Sequence, residues 1–206
     1  ESIINKKTTN KPIWLMRQAG RYLPEFREIR KKNLDFIKLC LNKNITPKIT
    51  LQPLKRFDID AAIIFSDILM LPYALGQNVE FKKNFGPSLG NLNLKKLSKI
   101  KDKDFSNKLK PVYKAINIVS KDKLLNKKDL IGFVGAPWTI YIYMLNKKSP
   151  KKFKSQIESI ENYLFNRQKL KEKEKEKLML IIIKYLKTHI KNQVDSGATI
   201  IQIFDS

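Results

Sequence analysis

The chain has 206 residues, with 42 Lys plus Arg against 19 Asp plus Glu, a formal net charge of +23, 42% hydrophobic residues, one His and one Cys. That length and apolar fraction suit one core-forming domain, taken here as residues 1–206, or a piece of one. A lone Cys40 excludes an internal disulfide, and one His with one Cys excludes a His/Cys metal cluster. The longest apolar run, Leu178 to Ile183, falls far below the ~20 residues that span a bilayer.

The charge raises nucleic acid as a partner, because a basic surface draws phosphates by counterion release. The distribution argues otherwise: six of the basic residues are Arg, and the lysines are scattered among Asn and Ile along the whole chain. That mixture matches the codon drift of an AT-rich genome, with attraction of some polyanion as the other reading. Against this habit, Arg17, Arg21, Arg27 and Arg30 form a local cluster. Arg grips carboxylate or phosphate with a planar fork that Lys lacks; a solvated helix face is the alternative.

In chain order, Thr46 and Pro47 predict a helix start with Thr46 as N-cap and Pro47 at the first helical position, and Pro53 should kink or shorten that helix. Asp60 to Phe65, Leu130 to Val134 and Thr199 to Phe204 read as buried strands of a parallel sheet. The charge run Lys169 to Lys177 reads as a solvated first turn or a small surface insertion. It leads into a helix over 168–194, where Leu178, Ile181, Ile182, Tyr185 and Leu186 make one apolar stripe. His189 continues that stripe and is expected in the core, and Gly197 should stop the helix. The pattern is α/β, and strand starts about 69 residues apart require further elements between them, since a simple βα unit needs ~30. The chain opens on Glu1 and closes just after the third strand, which reads as a piece of a longer chain.

Parallel α/β proteins bind ligands at the carboxyl ends of their strands. Here those ends are Ser66-Asp67, Gly135 to Thr139, and Asp205-Ser206. Asp67 stands in apolar surroundings, so it needs either a structural Arg partner or a hydrogen-bond donor from a ligand. Tyr141 and Tyr143 follow Trp138 and either pack or present a hydroxyl.

The run Trp14-Leu15-Met16-Arg17-Gln18-Ala19-Gly20-Arg21-Tyr22-Leu23-Pro24-Glu25-Phe26-Arg27, then Phe65-Ser66-Asp67-Ile68-Leu69, then Gly135-Ala136-Pro137-Trp138-Thr139, resembles the uroporphyrinogen decarboxylase family of the haem pathway in residues, order and spacing. The resemblance implies a single-domain (β/α)8 barrel, of which this chain would hold about the first two thirds. It implies stepwise removal, with no cofactor and no metal, of the four acetate carboxyls of uroporphyrinogen III to give coproporphyrinogen III. That chemistry protonates a pyrrole carbon, passes through a cation on the ring nitrogen system and loses carbon dioxide.

By the same resemblance Asp67 would accept hydrogen bonds from pyrrole N–H groups and stabilise the cation. Arg17, Arg21 and Arg30 would hold substrate carboxylates, with Gln18 and Ala19 on the same loop. Arg17 would act in binding first and as proton donor second, since a guanidinium is a poor acid. Tyr143 and Ser206 match substrate-binding positions, and Tyr141 does not. Asn146 to Lys152 replace a glycine-rich stretch of the family. A homodimer is implied, with a cytoplasmic location or, alternatively, a plastid-type organelle, and no nucleic-acid or membrane partner. A 206-residue piece of such a barrel should expose sheet edges and be inactive. Two rivals are a Lys-rich polyanion binder and a methyltransferase or corrinoid-linked relative on the same fold.

Overall fold

The computed structural model describes residues 11–16, 19–82, 86–147 and 170–205. In chain order the described elements are α1 (Pro24–Lys32), α2 (Phe36–Cys40), α3 (Thr46–Arg56), β1 (Ala61–Ile63), α4 (Met70–Ala74), β2 (Val79–Lys82), β3 (Gly86–Leu89), α5 (Leu94–Leu97), α6 (Asp102–Ser120), a 3-10 turn (Lys123–Leu125), β4 (Asp129–Gly135), α7 (Pro137–Asn146), α8 (Glu172–Asp195) and β5 (Ile200–Phe204). The chain divides into two compact units. One comprises Glu1–Asp67, Leu109–Val134 and Ile190–Gln202, and the other Ile68–Lys108, Gly135–His189 and Ile203–Ser206.

The three strands expected from the sequence form one sheet in the order β1-β4-β5. β1 and β4 run parallel, with Ala61 opposite Asp129 and Ile63 opposite Ile131. Thr199 donates its N–H to Leu130 O and Ala136 donates to Phe204 O, so partners advance together and β4 and β5 are parallel as well. β1 and β4 are buried as expected. β5 departs from the expectation: its side chains are half-buried and Ile203 is 53% exposed. Among the described residues it pairs with β4 alone.

In the first unit, Leu51, Ala62, Ile64, Val112, Ile116, Val119 and Leu130 make one apolar cluster, joining α3, the sheet and α6. Leu23, Phe26, Leu39 and Ile49 make a second, against which Phe65 packs. α6 carries its apolar residues at helical spacing, with Phe105, Leu109, Val112, Ile116 and Val119 all fully buried. It runs through Pro111, whose missing N–H costs one helical hydrogen bond.

Two details of α3 differ from the sequence reading. Ile45, not Thr46, is the N-cap; the buried Thr46 hydroxyl donates instead to Leu39 O at 3.0 Å and Cys40 O at 3.3 Å, pinning α2 to α3. Pro53 does not itself end the helix, which continues to Arg56: it sits in the last turn, where its own carbonyl still accepts from Phe57 N–H at 2.9 Å.

The second unit holds the antiparallel hairpin β2-β3, Val79 opposite Leu89 and Lys82 opposite Gly86, one of the further elements that the strand spacing required. Of the stripe read on α8, Leu178, Ile182, Tyr185 and Leu186 are buried and Ile181 is half-buried. Its charged lead-in is an exposed first turn, where Lys171 N–H donates to the Glu174 carboxylate at 2.9 Å. His189 is buried, edge-on to the Phe105 ring at 6.5 Å, and burial lowers its pKa to about 4. Gly197 follows α8 with φ +112°, the left-handed region that glycine enters freely. Among the described residues no helix is long and apolar enough to cross a membrane.

Candidate active site

Asp67 stands four residues past the end of β1, half-buried. The segment leading to it is fixed from below. Phe65 donates its N–H to the Thr50 hydroxyl at 3.0 Å, while that hydroxyl donates to Thr46 O at 2.9 Å inside α3. Thr50 is 1% exposed, and water does not compete for either bond. The Phe65 ring meets Phe26 at 5.6 Å and Phe36 at 5.7 Å, both edge-on. A strand end, a buried hydroxyl and three aromatic rings thus set the height of the loop that carries the carboxylate.

Arg30 closes α1. Its Nη1 donates to Asn33 O and, at 3.2 Å, to Leu34 O, and the guanidinium lies over the Phe36 ring at 5.5 Å. Two donors are therefore committed to backbone, which leaves Nε and Nη2 for a carboxylate. Asp67 and Arg30 both act on the Cys40 thiol: burial pushes it well up, the Asp67 charge adds to this and the Arg30 charge opposes it. An acid and a base of opposite sign accordingly lie within electrostatic reach of one buried sulfur.

Ala19 is half-buried and Arg21 exposed, and no side-chain hydrogen bond or ion pair engages Arg21 among the described residues. The loop around Arg21 is held by Arg27, whose Nη1 donates to Arg21 O at 2.9 Å and Tyr22 O at 3.3 Å. Arg56 pairs with Glu25 through two bonds, 2.7 and 2.9 Å, at the start of α1. Of the arginines flagged in the sequence, Arg27 therefore braces the loop and Arg21 is available. Arg17, Gln18 and Ser206 lie outside the described residues, as do residues 148–152 of the segment that replaces the glycine-rich stretch.

In the second unit the Gly135-Ala136-Pro137-Trp138-Thr139 motif turns from β4 into α7. Pro137 sits in the first turn of the helix, where its missing N–H costs nothing. Ala136 donates to Phe204 O at 2.7 Å, and the buried Thr139 hydroxyl donates to Asp205 Oδ1 at 2.6 Å. A Cβ on Gly135 would come within 2.7 Å of Ile140, so only glycine lets the helix approach the strand so closely. Tyr141 is buried and stacked on Trp138 at 5.4 Å, which is packing. Tyr143 is half-buried.

The first unit therefore contains Ala19, Arg21, Arg30 and Asp67, and Tyr143 belongs to the second. Sequence reasoning missed Thr50 and Arg27 as supports. Thr50 is a threonine inside a helix, where the hydroxyl commonly turns back on its own backbone, and nothing local shows that it also accepts from a strand end.

The family described as uroporphyrinogen decarboxylase (URO-D) matches residues 2–206. A uroporphyrinogen decarboxylase of Rickettsia felis is 43% identical over 210 residues, covering 100% of this chain and 58% of that protein. One of Orientia tsutsugamushi is 45% identical over 202 residues, covering 95% and 54%, and one of Campylobacter jejuni 41% identical over 208 residues, covering 100% and 58%. The chain thus spans a little over half the length of these relatives. Among solved structures, a methyltransferase from Methanosarcina mazei superposes with a TM-score of 0.62 at 16% identity, covering 86% of this chain and 50% of that one, a likeness of fold alone. On the match over residues 2–206 and identities above 40%, the chain belongs to the uroporphyrinogen decarboxylase family.

Proposed function

We propose that the protein removes the acetate carboxyls of uroporphyrinogen III one after another, without a cofactor, and releases coproporphyrinogen III. The observation that carries this reading is the family match over residues 2–206 together with an acidic side chain, Asp67, half-buried at the end of a parallel strand. We assign the chain to one (β/α)8 barrel domain, with a homodimeric, cytoplasmic protein as its setting; both follow from the family.

In this reading Asp67 receives the pyrrole N–H groups, and its negative charge stabilises the cation formed when a ring carbon is protonated. The aromatic rings of Phe26, Phe36 and Phe65 beneath the loop keep the surroundings poorly polarisable, which strengthens that interaction over its value in water. Loss of carbon dioxide then sends its electron pair toward the ring and leaves an exocyclic methylene; that carbon takes up a proton to become a methyl group while the ring carbon gives up the one it had gained, which restores the pyrrole. Arg21, with Arg17 and the remaining donors of Arg30, holds acetate and propionate carboxylates, and Gln18, Ala19, Tyr143 and Ser206 complete the binding surface. Arg17 serves first in binding and second as a source of the proton. An arginine cluster suits this substrate because each of its side arms ends in a planar carboxylate.

The test is incubation of the full-length protein with uroporphyrinogen in the absence of oxygen, products being separated by carboxyl number. Successive loss of carboxyls down to the four-carboxyl product is expected, without added metal or cofactor. Unchanged substrate would overturn the proposal.

A further inference from the structure

At the amino ends of the strands, the opposite end of the sheet from Asp67, the first unit has a concavity of about 590 Å³. Lys128 and Thr199, which immediately precede β4 and β5, line it together with the exposed Lys121, Lys123 and Lys127. Four lysines thus face one aspartate, Asp122, in the lining. Lys128 is engaged with the Asp58 carboxylate at 3.1 Å and Ile59 O at 2.6 Å. The three exposed lysines meet no carboxylate among the described residues.

The loop bearing them is built rather than loose. Asp122 Oδ1 accepts from Leu124 N–H at 2.9 Å, Asn126 N–H donates to Lys123 O at 3.1 Å, and Lys128 N–H to Leu125 O at 2.8 Å. Lys127 holds a left-handed backbone, φ +62°, a conformation that is unfavourable for a non-glycine residue and is kept only where neighbours enforce it. On the facing wall a Cβ at Gly197 would fall 2.6 Å from the Ser120 side chain, so glycine is required for the wall to close as it does.

We propose that this concavity binds a compact oligophosphate, an anion carrying two or more phosphoryl groups, either free or as the tail of a nucleotide. Three ammonium groups that meet no carboxylate among the described residues, lining one concave site, focus a positive potential, and the volume lies within the range of small-ligand sites. Lysine is a point charge suited to phosphate oxygens, whereas the arginine cluster near Asp67 is the fork suited to carboxylates. The two ends of the sheet therefore select different anions, and this site stands whether or not the decarboxylase reading holds.

The test is calorimetric titration of the full-length protein with sodium tripolyphosphate at about 0.15 M salt, where exposed charges are screened beyond ~8 Å. Saturable binding at one site is expected. Lys123→Gln with Lys127→Gln should weaken it about tenfold or more, whereas Lys48→Gln with Lys55→Gln, which removes the same charge from the α3 surface, should change it less than about twofold. Amide shifts of Gly197 and Thr199 on titrating the unaltered protein give a second readout that needs no variant. ATP displacing tripolyphosphate supports the nucleotide tail, and failure of ATP to compete supports the free anion. No saturable binding, or equal weakening by the two pairs, overturns the proposal, the latter because it means diffuse charge.

Discussion

Asp67 and Asp129 stand at opposite ends of one pair of parallel strands, and their surroundings give the two carboxylates different work. Asp129 opens β4 opposite Ala61, is 2% exposed, and accepts the Thr199 hydroxyl at 2.9 Å. That same hydroxyl accepts from Leu130 N–H at 3.0 Å, so Asp129 is stitched into the start of two strands. Asp67 follows β1, is half-buried, and is carried on a loop that other residues hold up. Asp129 lies within the paired strands; Asp67 lies on a loop beyond the end of one. The lesson is that an acidic residue beside a strand reads as functional or structural only once its depth and its hydroxyl partners are known.

The largest effect on stability should come from breaking the structural member. Asp129→Ala removes a buried acceptor and strands its partners, at a cost of about 3 kcal/mol, read as a fall in Tm of about 10 °C. Asp129→Asn keeps an oxygen for Thr199 and should retain most of that stability, with turnover within about twofold of the parent. A Tm unaffected by Asp129→Ala would break the comparison.

Acid should expose a comparable loss in the second unit. His189 is held neutral in the fold, with its pKa lowered to about 4 from the ordinary 6.5. Between those values the unfolded chain takes up a proton that the folded chain refuses, so stability falls as pH drops from about 6.5 to about 4 and levels off below. The full loss is about 3 kcal/mol. In His189→Leu, denaturant melts across that pH window should lose this component; an identical slope in the variant would contradict the assignment.

Thr50→Val tests what holds Asp67 in place. The isosteric methyl leaves the Phe65 N–H without its acceptor, and we expect a loss of about 1–2 kcal/mol and a roughly tenfold fall in kcat with little change in KM. Thr50→Ser should restore both. The smallest effect is expected from Arg27→Lys, which replaces a fork that holds two carbonyls by a single point charge. KM should rise about threefold as the Arg21 loop loosens, with kcat nearly unchanged.

Much of this contrast was open to sequence reading, and the rest was hidden for physical reasons. β1 and β4 are short, β-branched or apolar, and bounded by turn residues, so they read as strands, and Asp67 stands just past the carboxyl end of the first. Asp129 escaped because a charged residue reads as the boundary of an apolar run, although here it is the first paired residue of the strand. β2 and β3 are four-residue strands containing Lys82 and Pro87, too short and mixed to show a period of two. α6 has a clean apolar stripe, but Pro111 within it argues against a helix locally, and tertiary burial overrides that preference. β5 has the composition of a buried strand and lies half-exposed, whereas β1, equally at one end of the β1-β4-β5 order, is buried; composition does not tell which strand faces are covered by other segments. The supports of the site, Thr50 under Phe65 and Arg27 under Arg21, depend on contacts between segments, which spacing along the chain does not encode.

The central claim is that Asp67 acts through its charge on the reaction and not through the fold. Full-length protein and its Asp67→Asn variant would be compared for uroporphyrinogen turnover and for thermal melting in the same buffer. The account predicts a fall in kcat of about 100-fold or more with Tm within about 2 °C of the parent. A variant that keeps its turnover, or one that loses turnover only because it no longer folds, would contradict it.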